Sequence, residues 1–311
     1  MVVGITTISA VDNSLPTEFI AEVRLADRFS PIMRPLVRNE TLPEHEGSTW
    51  QLTELTRSTI VALSDGEDLT VAEQITDSAL TIVPTRYGGQ IVYTNEAFAK
   101  FTKRADLARL VGEILREDML RKEDVDLLTQ LDSFSVALGS AGTALTIGHI
   151  MAAGAAIRGG GQASGAITSG TQNAPNGPIH AVFSSAQLHP VTKNMAIGRQ
   201  ILTTSGASQE GPMPGEAANR ALRDAYVGRL GGVETYNDDN LGKDSSDDAK
   251  GGVFAEQSII QVHFMGGVRI KTDSDVSRET KEVNVFMNKG IGEYKDAWGR
   301  EMLFDAAAPT S

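Results

Sequence analysis

Residues 104–132 constrain this chain more than any other segment. Leu107, Leu110, Val111, Ile114, Leu115, Leu120, Leu127, Leu128 and Leu131 recur near the 3.6-residue period, which predicts one continuous amphipathic helix. At 1.5 Å per residue such a helix is about 43 Å long, whereas a mean helix has about 11–12 residues. It reads as a structural spine, with Leu110, Ile114 and Leu128 as its core contacts. Glu117 precedes Arg121, and Asp118 precedes Lys122, by four residues. That is the favourable order for helical ion pairs, so the charges read as a solvated face.

The segments before the helix cannot stand alone. Residues 1–47 show no settled period beyond a short amphipathic stretch, Phe19, Ile20, Val23, Ala26 and Phe29, that starts near Pro16-Thr17. Pro31, Pro35 and Pro43 then favour an extended path. The expectation is an arm that crosses a surface, packed through Phe19, Val23 and Phe29. Residues 48–95 change to the strand period. Trp50 and Leu52 alternate with Thr49, Gln51 and Thr53, and Thr81-Ile82-Val83 and Gln90-Ile91-Val92-Tyr93-Thr94 are β-prone. Ser64-Asp65-Gly66-Glu67-Asp68 between them is a turn signal. The expectation is a long two-stranded ribbon, which is marginal in isolation and must lie on something else.

After the helix, residues 135–178 are rich in Gly, Ala and Ser, with a short helix expected within 147–157 and a break at Gly159-Gly160-Gly161. Ile179–Phe183 reads as a buried strand, Ala217–Tyr226 as a second modest helix, and Asn237–Asn240 and Asp244–Lys250 as polar turns. Strands return at Ser258–Phe264, Val268–Lys271 and Glu282–Met287, and Ala297–Leu303 closes the fold. Helices and antiparallel strands are segregated, which is an α+β organisation.

Composition narrows the chemistry. There is no Cys, which excludes disulfides, thiolate nucleophiles and Cys-bearing metal centres. A net charge of -12 argues against a free-standing nucleic-acid binder with a basic face. Only 5% of residues are aromatic and 31 are Gly, which is unusual for a self-contained enzyme and points to extended or loop structure. His45, His149, His180, His189 and His263 have no second His within five residues, so the zincin helix is absent. The dinucleotide fingerprint, the P-loop and the nucleophile elbow are absent too. The acidic run Asp238–Asp248 lacks EF-hand spacing and reads as a solvated loop. No catalytic, cofactor-binding or metal-ligating residue is assigned. No window is apolar enough to span a membrane, and the N-terminus lacks the charge and apolar pattern of a signal peptide.

The order of these elements resembles the major capsid protein of tailed bacteriophages, a fold shared with herpesvirus shells and encapsulins. Asp65-Gly66-Glu67-Asp68 resembles the tip of that family's extended E-loop, and Tyr87–Glu96 its return strand into the spine helix. Gly228–Asn237 resembles a turn and strand late in the axial domain. The resemblance implies an N-terminal arm (1–47), an E-loop ribbon (48–95), a peripheral domain (96–135 and 255–311) and an axial domain (136–254). It implies pentamers and hexamers closing into an icosahedral shell around double-stranded DNA that is not bound by sequence. Asp65, Gly66, Glu67 and Asp68 would touch neighbouring subunits. The implied partners are a separate scaffolding protein, a portal and, where one is used, a decoration protein; the implied location is the virion, after synthesis in the host cytoplasm. Some relatives cross-link an E-loop Lys to a neighbour, but the first lysine here is Lys100, so a non-covalent shell is expected. Two alternatives stand beside this one: an encapsulin-like compartment around cargo protein, and a β-rich acid–base hydrolase.

Overall fold

The computed structural model describes residues 5–6, 31–44, 47–55, 62, 65, 74–96, 104–159, 174–193 and 226–309. Two sheets and a long helix form the frame. The first sheet has the order β1 (Ile5–Thr6), β5 (Thr85–Thr94), β12 (Thr280–Glu293), β11 (Ile259–Asp275), β2 (Arg38–Leu42). Its centre is the antiparallel β11–β12 hairpin, with β5 antiparallel to β12 and β2 parallel to β11. The second sheet has the order β6 (Ala137–Gly139), β13 (Gly299–Asp305), β10 (Asp248–Ala255), β7 (Ile179–Phe183), β9 (Val233–Asn237), β8 (Tyr226–Leu230). β3 (Trp50–Leu55) and β4 (Asp77–Ile82) form a separate two-stranded ladder, Trp50 opposite Ile82 and Leu55 opposite Asp77.

The predicted spine is α1 (Arg104–Gln130), ending in a 3-10 turn at Leu131–Ser133. Its buried side rotates along its length. Val111, Leu115 and Met119 pack on Tyr93, Val283, Val285 and Met287 of the first sheet. Leu127, Leu128 and Leu131 pack with Met33, Leu36, Val182 and Phe254. At about 100° per residue, these two buried faces point roughly 170° apart. Ile114 stands about 100° from the first face and is 36% exposed, so it is not a core residue of the spine. Leu128 is buried. Of Leu110 the structure describes the backbone only, within α1.

α2 (Ile147–Arg158) covers the second sheet and is capped by Thr146, whose Oγ1 accepts the His149 N–H. Ile150, Ala153 and Ile157 meet Phe183, Val233, Val253 and Phe304 in its core. The β8–β9 turn is Gly231-Gly232, both with positive φ, as a tight hairpin requires. Arg158 Nη1 and Nη2 donate to the carbonyls of these two glycines.

Several elements differ from expectation. Gln90–Thr94 is not the returning side of the ribbon; it pairs with Thr280–Asn284 in the first sheet. The C-terminal strand Gly299–Asp305 joins the second sheet beside β10, not the peripheral strands with which it was grouped. Residues 31–42 are not a free arm: Arg34–Leu36 is a 3-10 turn, Met33, Leu36 and Val37 are core, and β2 extends the first sheet. The proline-led path ends there because these apolar groups find a dry site against the helix. Tyr226 opens a strand; the rest of the helix expected at 217–226 lies outside the described residues. The strands expected at 258–264 and 268–271 are one strand with a register shift between Phe264 and Arg269.

Candidate functional site

Two places carry the features from which a function can be argued. The first is the ribbon. Its base is seated on the first sheet: Trp50, Leu52, Leu80 and Ile82 pack with Leu42, Ile260, Val262, Phe264 and Tyr294. The seat depends on glycine. A Cβ at Gly290 or Gly292 of β12 would lie 2.6 or 2.8 Å from side-chain carbons of Ile82. Lys295 Nζ fastens the same face by donating to Glu54 Oε1 at 2.6 Å. At the far end of the ladder from Trp50, Leu55 and Ile75 are 64% and 68% exposed. Asp65 is an exposed turn residue; Gly66, Glu67 and Asp68 of the expected tip lie outside the described residues. So do the expected arm contacts Phe19, Val23 and Phe29.

The second place is the last third of α1, where its two buried faces meet. Asp118, Arg121 and Lys122 are exposed, as a solvated face requires, but the acids that follow them are not. Glu123 and Asp124 are 0% exposed and Lys289, opposite on β12, is 2% exposed. Glu123 Oε1 accepts from Gln261 Nε2 at 2.6 Å and lies 3.2 Å from His263 Nε2 and 3.6 Å from Arg34 Nε. Burial alone would raise the Glu123 pKa; the His263 contact, Arg34 and the Gln261 bond outweigh it and hold the carboxyl below its ordinary range. Lys289 Nζ is 2.8 Å from Asp126 Oδ2 and also donates to the Lys122 carbonyl at 3.2 Å. Burial lowers the Lys289 pKa, opposed by Asp126. Lys122 pairs with Asp126 at 2.6 Å, rather than with Asp118 as the sequence order suggested.

On the other side of α1, Asp124 Oδ1 accepts the backbone N–H groups of Ile32 and Met33, and its Oδ2 accepts from Asn240 Nδ2. Asp238, expected in a solvated loop, is 1% exposed, because the turn after β9 folds back onto the helix. One helical turn and a half thus ties together the N-terminal segment, the first sheet and the second sheet. Sequence did hold a signal for this junction: the leucine stripe lapses between Leu120 and Leu127, and acids fill the gap on the inward side.

These features describe a structural joint between the helix and the elements around it. Glu123, Asp124 and Asp126 each meet backbone, Gln, Asn, His or Lys partners, and among the described residues no three His, Cys, Asp or Glu side chains converge to hold a metal. No described helix is long and apolar enough to cross a membrane.

No protein-family model and no curated protein sequence matches the chain. Solved structures do. The chain is similar to the capsid of the cyanophage P-SCSP1u, with 15% identity, a TM-score of 0.64, and coverage of 96% of this chain and 95% of that one. It is similar to the acid-stable capsid of the Helicobacter pylori bacteriophage KHP30, with 13% identity, a TM-score of 0.69 and coverage of 98% and 99%. The head structure of the Helicobacter pylori bacteriophage KHP40 matches with 12% identity, a TM-score of 0.71 and coverage of 98% and 100%. Both chains are spanned nearly end to end in each case, so the likeness is of the whole architecture. The chain has the fold of bacteriophage capsid proteins.

Proposed function

We propose that this chain is the major capsid subunit of a tailed bacteriophage. The observation that carries the reading is the end-to-end match to phage capsid chains, at 95–100% of their length. A ribbon seated through Trp50, Leu52, Leu80 and Ile82, with Leu55 and Ile75 exposed, is consistent with a surface completed by another copy. In this reading copies associate as pentamers and hexamers and close into an icosahedral shell. Residues 1–30 and the ribbon beyond Leu55 supply contacts between subunits, with Asp65, Gly66, Glu67 and Asp68 at the ribbon tip. The second sheet with α2 forms the axial domain, and the first sheet with α1 the peripheral domain. The shell encloses double-stranded DNA without reading its sequence; the chain's own negative charge favours containment over adhesion. A scaffolding protein, a portal and, where used, a decoration protein are its partners, and the virion is its location.

The test is a ribbon-tip variant. Asp68→Lys should leave the circular dichroism spectrum and thermal unfolding of the subunit unchanged while reducing its sedimentation as large particles. If that substitution unfolds the subunit, the tip is part of the monomer fold and the reading of the ribbon is wrong.

A further inference from the structure

The joint in the last third of α1 contains two carboxylates that face each other with no cation between them among the described residues. Asp124 belongs to α1 and Asp238 to the turn after β9, and both are buried. Asp124 Oδ1 accepts the Ile32 and Met33 N–H groups at 3.0 and 2.9 Å. Asn240 Nδ2 donates to Asp124 Oδ2 at 3.3 Å and to Asp238 Oδ1 at 3.0 Å, and the Asn240 N–H donates to the same Asp238 oxygen at 2.9 Å. Asp238 Oδ2 is buried with no donor among the described residues. An ionised oxygen left bare in a dry site carries the full desolvation penalty, and two adjoining carboxylates there do not both stay ionised.

The neighbouring charges do not relieve the pair. Arg121 on α1 reaches only the Asn240 carbonyl oxygen, at 3.3 Å. Arg34 from the N-terminal segment and His263 from β11 face Glu123 instead. Asp239, next on the turn, accepts the Ser185 N–H. Arg121 also fixes the Asn240 amide with its NH2 group toward both carboxylates, an arrangement that suits a shared proton and repels a cation.

We propose that Asp124 holds a proton that it donates to the bare Asp238 oxygen, and that this proton latches residues 32–36 and the Asp238–Asn240 turn to the last third of the long helix. Removing it leaves two negative charges in contact, so the joint loosens as pH rises. Burial first, and Asp238 second, push the Asp124 pKa up to about 7. The folded value lies above the ordinary 3.8, so the stabilisation is complete at acid pH below 3.8 and is lost as pH rises toward and through about 7. The latch lies within one subunit and does not rest on the shell proposal.

Amide hydrogen exchange on the purified full chain tests it. Peptides covering residues 31–37 are followed at pH 5.5 and 8.5, corrected for intrinsic exchange and referenced to the β10–β13 core. The expected result is at least a tenfold loss of protection at pH 8.5, confined to that segment and to 238–241. Asp238→Asn supplies a permanent N–H in place of the proton and should make protection the same at both pH values. Should that variant fail to fold, Asp124→Asn carries the same expectation, its amide donating to Asp238. Wild-type protection that does not change with pH, or a folded variant that keeps the wild-type dependence, overturns the proposal.

Discussion

Asp126 and Lys289 face each other across the helix–sheet contact, yet removing one should cost far more than removing the other. Lys289 is 2% exposed, and its pKa is lowered by burial. The Asp126 side chain is 21% exposed and holds a second cation, Lys122, at 2.6 Å. Asp126→Asn removes the adjacent neutralising charge and leaves the buried Lys289 ammonium with neutral acceptors, the Lys122 carbonyl among them, the Tyr87 ring 5.1 Å away at its centroid, and the Glu123 carboxylate. Stranding a buried charge costs about 3–5 kcal/mol. Lys289→Met keeps the volume, removes the desolvated charge and leaves Asp126 paired to Lys122. That change should stay within about 1 kcal/mol and could favour the folded state. Urea unfolding of the unassembled subunit reads the difference. With a slope of about 3 kcal/mol per molar, the Asp126→Asn midpoint should fall by on the order of 1 M and that of Lys289→Met should barely move. The sign with pH follows. A lysine whose folded pKa lies below 10.5 binds its proton less tightly when folded, so stability should rise as pH climbs from the lowered value toward 10.5, more steeply in Asp126→Asn. Equal losses in the two variants, or a larger loss in Lys289→Met, would refute the reasoning that desolvation governs this joint.

Further outcomes are expected elsewhere. Gly290→Val places a branched side chain where Ile82 sits, 2.6 Å from the added Cβ, and should unseat the ribbon base at a cost of about 1–3 kcal/mol; acrylamide quenching of Trp50 should increase in a Trp298→Phe background, and unchanged quenching would count against the seat. Leu128→Ala should lower stability by about 2–5 kcal/mol, whereas Ile114→Ala, at a position 36% exposed, should cost only about 1 kcal/mol, as thermal or urea unfolding of the subunit will show. Boiling assembled particles in denaturant should release single chains, since no lysine precedes Lys100; a ladder of linked chains would contradict a non-covalent shell.

Periodicity revealed the elements but not their partners. The 27 residues of α1 were legible because eight apolar side chains of the stripe repeat over them. One fixed stripe was the wrong picture, however, because the helix packs on the first sheet at one end and on the N-terminal segment and second sheet at the other. That rotation puts Ile114 outside and Glu123 and Asp124 inside, and a single-face reading has no way to see it. The seating of β4 on Gly290 and Gly292 was hidden for a related reason: glycine leaves no pattern, and its role appears only when Ile82 is found above it. The grouping of Gly299–Asp305 with the peripheral strands followed chain order, whereas strand pairing follows hydrogen-bond partners far away in sequence, here Asp248–Phe254. Asp238 reads as a turn residue in any sequence, and its burial follows from where the second sheet meets the helix.

The central claim is that copies of this chain build a closed shell. Electron microscopy of the expressed chain, alone and with a candidate scaffolding protein, tests it most directly. The account predicts closed icosahedral particles, or pentamers and hexamers, with the ribbon of each copy lying on a neighbour. A homogeneous monomer that forms no particles at any salt concentration or pH, with or without the scaffolding protein, would contradict it.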